Sequence, residues 1–184
     1  MPGYIDRMKR VCHERTNLTI TFPDAKDADG PLNVVRKLGW YYPSDAELES
    51  IILGNHDHHL YSFSSYIKDQ LPGIKRLLTE RPTTRRATLQ LADFRGADLY
   101  DNHLPALISV QFMIRESKLN ATIHSRSTDL LMGLPANLFQ ASMLNKHLAQ
   151  ELGVDEGSVS FFMNSAHVFQ DYDEELALVH ERNP

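Results

Sequence analysis

Cysteine is almost absent from this chain, with one residue, Cys12, in 184. A lone cysteine excludes an internal disulfide and a cysteine-rich metal centre. An excess of positive charge is missing too. Lys and Arg number 19 against 24 Asp and Glu, for a net charge of -5, so nothing marks a general nucleic-acid binder. No apolar run reaches the roughly 18 residues that a membrane span needs, and no signal peptide opens the chain. A soluble cytoplasmic protein is therefore expected. Low-complexity linkers and internal repeats are not found, and Trp40 is the only tryptophan. What remains is 184 residues of 42% apolar composition. That is long enough to bury a core as a single domain over residues 1–184.

The patterns that are present alternate between helical and extended spacing. Ile5, Met8 and Cys12 are spaced for a short helix over residues 4–15. Residues 17–22 alternate apolar with polar and read as a strand, and residues 23–31 as a loop. Ser44 with Glu47 forms a capping-box pattern ahead of a helix from about 45 to 53, ended by Gly54. Residues 61–78 read as helical in two pieces, broken at Pro72-Gly73. Strands are expected at 87–92, 107–115 and 119–125, the last two joined by a turn at 116–118. Leu138, Ala141, Leu144, Leu148 and Leu152 describe a mostly buried helix stopped by Gly153, followed by a strand at 158–163.

Two polar clusters stand out. His56-Asp57-His58-His59 offers three imidazoles and a carboxylate, a metal-capable set. Neighbouring residues on a regular element point in different directions, however, and no distant partner motif completes a site. A polar loop, or a pair of substrate contacts, without metal is the expectation. The second cluster runs from Ser125 to Asn137. Arg126 presents a planar fork suited to phosphate or carboxylate, and Ser127 adds a hydroxyl to the same anion. Asn137 carries a donor and an acceptor on one amide, which suits a pyrimidine edge. The same residues would also serve as an ordinary helix start with caps.

Taken in order, Arg126, Ser127, Asp129, Gly133, Pro135 and Asn137 resemble the nucleotide-binding signature of thymidylate synthases, Gln-Arg-Ser-x-Asp-x-x-x-Gly-x-Pro-Phe-Asn. Ser125 replaces the Gln and Ala136 the Phe. Asp69-Gln70, then Pro82 and Arg85-Arg86, look like that family's helix and twin-arginine motif. His167 falls where its Gly-Asp-x-His-x-Tyr segment places a His that holds the sugar 3′-hydroxyl, with Phe169 in the Tyr position. The resemblance covers roughly residues 60–175. It implies an α+β fold, a mixed sheet of about five or six strands covered by helices, and a homodimer paired through the sheet face. It also implies that Arg85 and Arg86 reach across the dimer to a phosphate held by Arg126 and Ser127, and that Gln111, Asn137 and His167 touch the nucleotide.

The departures from the family bear on chemistry. Its thiolate nucleophile stands in a Pro-Cys-His segment five residues before the Gln matched by Gln111. The corresponding position here is Ala106, after Pro105. A methyl group cannot form the covalent adduct. Cys12-His13 looks like the lost dipeptide but lies elsewhere in the chain. No Trp-bearing acidic segment precedes Asp69, and the sequence ends at Pro184, without the tail that closes over folate in the family. Folate is therefore not expected as a cofactor. The reading is a pyrimidine nucleoside monophosphate-binding protein that works without the covalent step, either a divergent nucleotide-modifying or nucleotide-hydrolysing enzyme, a catalytically silent regulator, or a partner subunit of an active homologue. Candidate acid/base groups are Asp129 and His167, then Asp93 and His124.

Overall fold

Sequence pattern and tertiary pairing meet in a sheet of seven strands, with helices packed on one face. The computed structural model describes residues 3–5, 10–37, 39, 41–53, 63–95, 104–174 and 177. Six strands lie in the order β1-β2-β7-β5-β4-β3, and short β6 pairs with β7 beside them. Their bounds are β1 Gly3–Ile5, β2 Val11–Phe22, β3 Thr88–Gln90, β4 Leu107–Arg115, β5 Lys118–Ser125, β6 Thr128–Asp129 and β7 Asp155–Phe169. The helices are α1 Gly30–Lys37, α2 Asp45–Leu53, α3 Ser64–Glu80 and α4 Leu134–Leu152. The sheet is mixed: β5 and β7 run parallel, as do β6 and β7, while the other neighbours are antiparallel. A parallel pair needs a crossover, and α4 supplies it between β5 and β7.

Alternation decides the faces. Leu119, Ala121 and Ile123 on β5, Val110 and Phe112 on β4, and Val159, Phe161 and Met163 on β7 are buried toward the helices. Their neighbours Thr122, His124, Gln111, Ser160 and Phe162 point to the opposite, half-exposed face. On that face Thr21 and Ser160 share a hydroxyl contact of 3.0 Å. His124 Nε2 lies 2.7 Å from Asn164 Oδ1 and packs beside Phe162. On the other side α4 is the central helix. Leu138, Leu144 and Leu148 are sealed, and three buried polar side chains pin it to its surroundings. Ser142 donates to Ala25 O, Asn145 to Leu119 O and Gln140 to Leu48 O. Gly153 ends the helix in the left-handed conformation at φ 66°.

Several expectations are corrected. The helix over residues 4–15 is replaced by β1 and β2, because the fifteen-residue β7 offers β2 a partner along its whole length, from Cys12 opposite Phe169 to Phe22 opposite Val159. Tertiary pairing overrides a three-residue helical spacing. The loop at 23–31 contains a 3-10 turn, Ala25–Asp29, capped by Asp24 accepting from Lys26 N, and the start of α1, which has Pro31 in its first turn. α3 runs through Pro72 unbroken. Ile67, Ile74 and Leu78 share one buried face, and keeping that face on the core outweighs the hydrogen bond that proline cannot make. β3 is shorter than the expected strand, but Phe112 N to Ala87 O and Leu91 N to Ile108 O, both 2.8 Å, extend its pairing at each end. β7 continues to Phe169, so His167 sits on a strand.

The capping box is present as read. Ser44 N donates to Glu47 Oε2 at 2.7 Å, and Glu47 N to Ser44 Oγ at 3.3 Å. Leu107–Arg115 is a strand with the expected bounds. Trp40, Gly54, Tyr61 and the cluster of His56, Asp57, His58 and His59 lie outside the described residues. Among the described residues no group of three or more His, Cys, Asp or Glu is placed to hold a metal, and no helix is long and apolar enough to cross a membrane.

Candidate functional site

β5 ends at Ser125, and β6 takes over its place beside β7 only at Thr128, so Arg126 and Ser127 fall in the break. Clefts in α/β arrangements open at the carboxyl ends of parallel strands, and this one does so at the start of α4. Its volume is about 450 Å³. Ala106 and Leu107 at the head of β4, and Ser127, Thr128 and Asp129, form one side; Gly133, Ala136, Asn137 and Gln140 of the α4 entrance form another. Pro43, Leu48, Ile51 and Phe63 supply an apolar wall.

Local chemistry fixes each part. Asp129 Oδ1 accepts from Leu131 N at 2.9 Å and Met132 N at 3.0 Å, folding the chain back on itself before α4. Asp129 Oδ2 bonds to no described residue and is not sealed from solvent. Gly133 keeps the next bend uncrowded, because a Cβ there would sit 3.2 Å from Asp129 O, tighter than an ordinary contact. Ser125, fully buried, lies 3.1 Å from Ala106 O and 2.8 Å from Ser127 O, and Thr128 Oγ1 donates to it. Arg126 N donates to Ala106 O at 2.9 Å. Its guanidinium donates to Pro105 O (Nε, 3.0 Å) and Leu104 O (Nη2, 2.7 Å), holding the segment that carries Ala106.

The structure brings Ala106, Ser127, Asp129 and Asn137 to one cleft, with Arg126 against its edge. His167 is level with Asp129 by register, and its carbonyl accepts from Leu130 N, with its ring edge-on to Phe169. Gln111 does not line the cleft. Strand alternation turns it to the opposite sheet face, where its amide donates to Arg85 O at 2.9 Å. Arg85 and Arg86 are exposed just before β3. His124 faces away with Gln111. Asp93 is unsuited to proton transfer at neutral pH: Arg95 grips its exposed carboxylate with three contacts of 2.7–3.1 Å and holds its pKa down to about 2. Cys12 is buried on β2 between β1 and β7, three strands from β4, so it does not take the place of residue 106.

Two residues, one lining the cleft and one beside it, were missed in the sequence. Tyr42 donates to Leu131 O through a very short contact, and burial together with the nearby Asp129 carboxylate pushes its phenol pKa up. Only its position ahead of Pro43 and α2 hinted at it. Gln140 is a polar residue on the buried side of α4, a signal that a helical-wheel reading would have caught.

Comparison with known proteins decides the family. The family model for thymidylate synthase matches residues 40–184. The chain belongs to the thymidylate synthase family. A putative thymidylate synthase of Methanosarcina mazei is 36% identical over 105 residues, covering 57% of this chain and 48% of that protein. The thymidylate synthase of Listeria monocytogenes serovar 1/2a is 28% identical over 117 residues, covering 63% of this chain and 37% of that protein. The chain thus matches about half, or less, of the length of these relatives. Within the thymidylate synthase family its mixed sheet, crossover helix and signature turn are the expected framework, and residue 106 is the departure.

Proposed function

We propose that the cleft binds a pyrimidine nucleoside monophosphate and acts on it, if at all, without a covalent enzyme adduct. The observation that supports this is the convergence of Ser127, Asp129 and Asn137 on one cleft whose remaining wall, at Ala106, carries only a methyl group. Asn137 reads the base edge, while Ser127 and Arg126 hold the phosphate. Arg126 exchanges the carbonyls of Leu104 and Pro105 for a stronger charged acceptor. His167, level with Asp129, faces the sugar.

Methylenetetrahydrofolate, which the family implies, does not fit as a reactant. One-carbon transfer needs a ring carbon made nucleophilic by thiolate addition, and residue 106 cannot supply that. Asp129 is better suited to non-covalent acid/base work. One carboxylate oxygen is anchored by two backbone donors, the other has no partner among the described residues, and the residue lines the cleft. That free oxygen favours a divergent hydrolytic or base-modifying enzyme. Without turnover, the same cleft describes a silent nucleotide-binding regulator or a partner subunit.

The half-exposed sheet face that carries Gln111, Thr122, His124 and Phe162 is proposed as the surface of a homodimer, bringing the partner's arginines at 85 and 86 to the phosphate. Sedimentation of the purified chain at micromolar concentration gives a dimer on this reading, and a monomer contradicts it.

The deciding experiment is a thermal-shift and calorimetric screen against nucleoside monophosphates and their nucleosides. A monophosphate raises the melting temperature by mass action and its nucleoside far less. No shift with any pyrimidine monophosphate at millimolar concentration refutes the reading. Asp129→Asn keeps the backbone acceptor, so it retains binding and abolishes any turnover seen by chromatography.

A further inference from the structure

Asn137 can rotate its amide to match either a uracil-like or a cytosine-like edge, so it does not select a base. Gln140 can. It lies three residues further along α4, about 4.5 Å of helical rise beyond Asn137, lines the same cleft and is only 4% exposed. Its Nε2 donates to Leu48 O at 3.3 Å. A backbone carbonyl can only accept, so the amide orientation is fixed, and Oε1 is the atom left over. Oε1 has no partner among the described residues. Among the described residues the sealed, unbonded side-chain oxygens are Asp29 Oδ1 and Asn145 Oδ1, so Gln140 Oε1 is not sealed, and the residue it belongs to lines the cleft. The cleft therefore holds a nearly buried, orientationally fixed acceptor one helical turn from a switchable amide.

From this geometry we propose that Gln140 is the specificity-determining residue of the cleft and that the preferred ligand carries a 4-amino pyrimidine, a cytosine nucleotide, and not a 4-oxo one. This rests on the proposed binding of a pyrimidine monophosphate with Asn137 at the base edge. A cytosine edge presents the N3 acceptor and an exocyclic amine with two N–H groups. Asn137 Nδ2 donates to N3 and its Oδ1 accepts the N–H on the N3 side. The second N–H, on the C5 side, goes to Gln140 Oε1, and every polar atom is satisfied. A uracil edge makes Asn137 rotate to donate to O4 and accept from N3–H. Gln140 Oε1 then faces a carbonyl oxygen and a C–H, an acceptor set against an acceptor, and the mismatch selects against that base.

The test is calorimetric titration of the full chain with cytidine and uridine monophosphates, in ribo and deoxy forms. The cytosine nucleotide binds about tenfold tighter or more to the unmodified protein. Gln140→Met keeps the volume and removes the acceptor, bringing the two within about twofold. N4,N4-dimethylcytidine monophosphate, which lacks both N–H groups, binds the unmodified chain no better than the uridine nucleotide. Binding of that analogue as tight as the cytidine nucleotide overturns readout of the 4-amino group even if the variant does not fold. Equal or tighter binding of the uridine nucleotide overturns the base assignment while leaving pyrimidine binding intact. A cytosine preference that survives in Gln140→Met overturns the role of Gln140. Binding of neither base, at any accessible concentration, removes the nucleotide reading and this inference with it.

Discussion

Gly157 packs tightly against β5 where β5 and β7 run parallel, and Gly157→Ala is a severe test of the packing. A Cβ at Gly157 would lie 2.6 Å from Asn120 Oδ1 and 2.9 Å from Leu119 O. Its φ is not in the left-handed region, so the difficulty is one of space alone. Both obstacles are held in place by hydrogen bonds. Asn120 Oδ1 accepts from Ser158 N at 2.9 Å and Ser158 Oγ at 2.8 Å, while Leu119 O accepts from the sealed Asn145 amide at 3.1 Å. The alanine must push Asn120 aside. That costs two hydrogen bonds at about 1 kcal/mol each, together with about 1–3 kcal/mol for overpacking. A total loss of about 3–5 kcal/mol lowers the Tm of a chain this size by about 6–20 °C. Thermal unfolding followed by far-ultraviolet circular dichroism measures it. A drop under about 2 °C would mean that Gly157 and Asn120 do not meet as described. Asn120→Ala in the Gly157→Ala background should then recover part of the loss, because it opens the space while forfeiting bonds already broken.

Other outcomes follow from the same geometry. Arg126→Ala weakens binding of a nucleoside monophosphate by about tenfold or more while changing nucleoside binding little, and equal losses would take Arg126 off the phosphate. The unmodified chain releases no tritium from a C5-tritiated pyrimidine nucleotide and traps no 5-fluoropyrimidine nucleotide. Ala106→Cys restores at most slow exchange, and mass spectrometry detects any adduct. Ser44→Ala removes the capping box of α2 and costs about 1 kcal/mol, seen as a Tm lower by about 2–4 °C. Asp29 has a buried, unbonded Oδ1, and burial, with Asp45 and Glu156 nearby, raises its pKa. The folded chain therefore holds that proton to higher pH than the unfolded one, and charged Asp29 destabilises the fold above that range. Asp29→Asn raises the Tm at neutral pH, and the gain disappears at pH values low enough to protonate the carboxyl in both states.

What could be read in advance was whatever the chain decides locally. Ser44 and Glu47 satisfy each other across three residues, Leu107–Arg115 alternates strictly, and Gly153 stops α4 because only the last turn is involved. Ser127, Asp129 and Asn137 were legible as neighbours because the short stretch from the end of β5 to the first turn of α4 carries all three. Residues 11–16 were misread, since their strand state depends on a partner some 150 positions away in β7. Pro72 misled because a proline's usual effect on a helix was outweighed by the core behind it. Tyr42 is tied beside the cleft through Leu131, a separation of 89 residues that no local pattern records, whereas Gln140, held to Leu48 across 92 residues, shows in the sequence only as a polar residue on the buried side of α4. The opposite orientation of Gln111 follows from alternation along β4.

Cys12 gives the molecule a built-in clock. It is the only thiol in the chain and is 3% exposed, flanked by Tyr4 on β1 and Phe169 on β7. An aromatic disulfide reagent can reach it only after the β1–β2–β7 margin of the sheet parts. The labelling rate under native conditions, set against that of the denatured chain, thus yields the free energy of that opening directly. The cleft borders β7 through Asp129, level with His167, which is two residues from Phe169, the register partner of Cys12. A ligand that slows labelling therefore steadies that margin through β7, and one that leaves the rate unchanged does not reach it. With Ala106 contributing no second sulfur, every labelling event reports on the β1–β2–β7 margin.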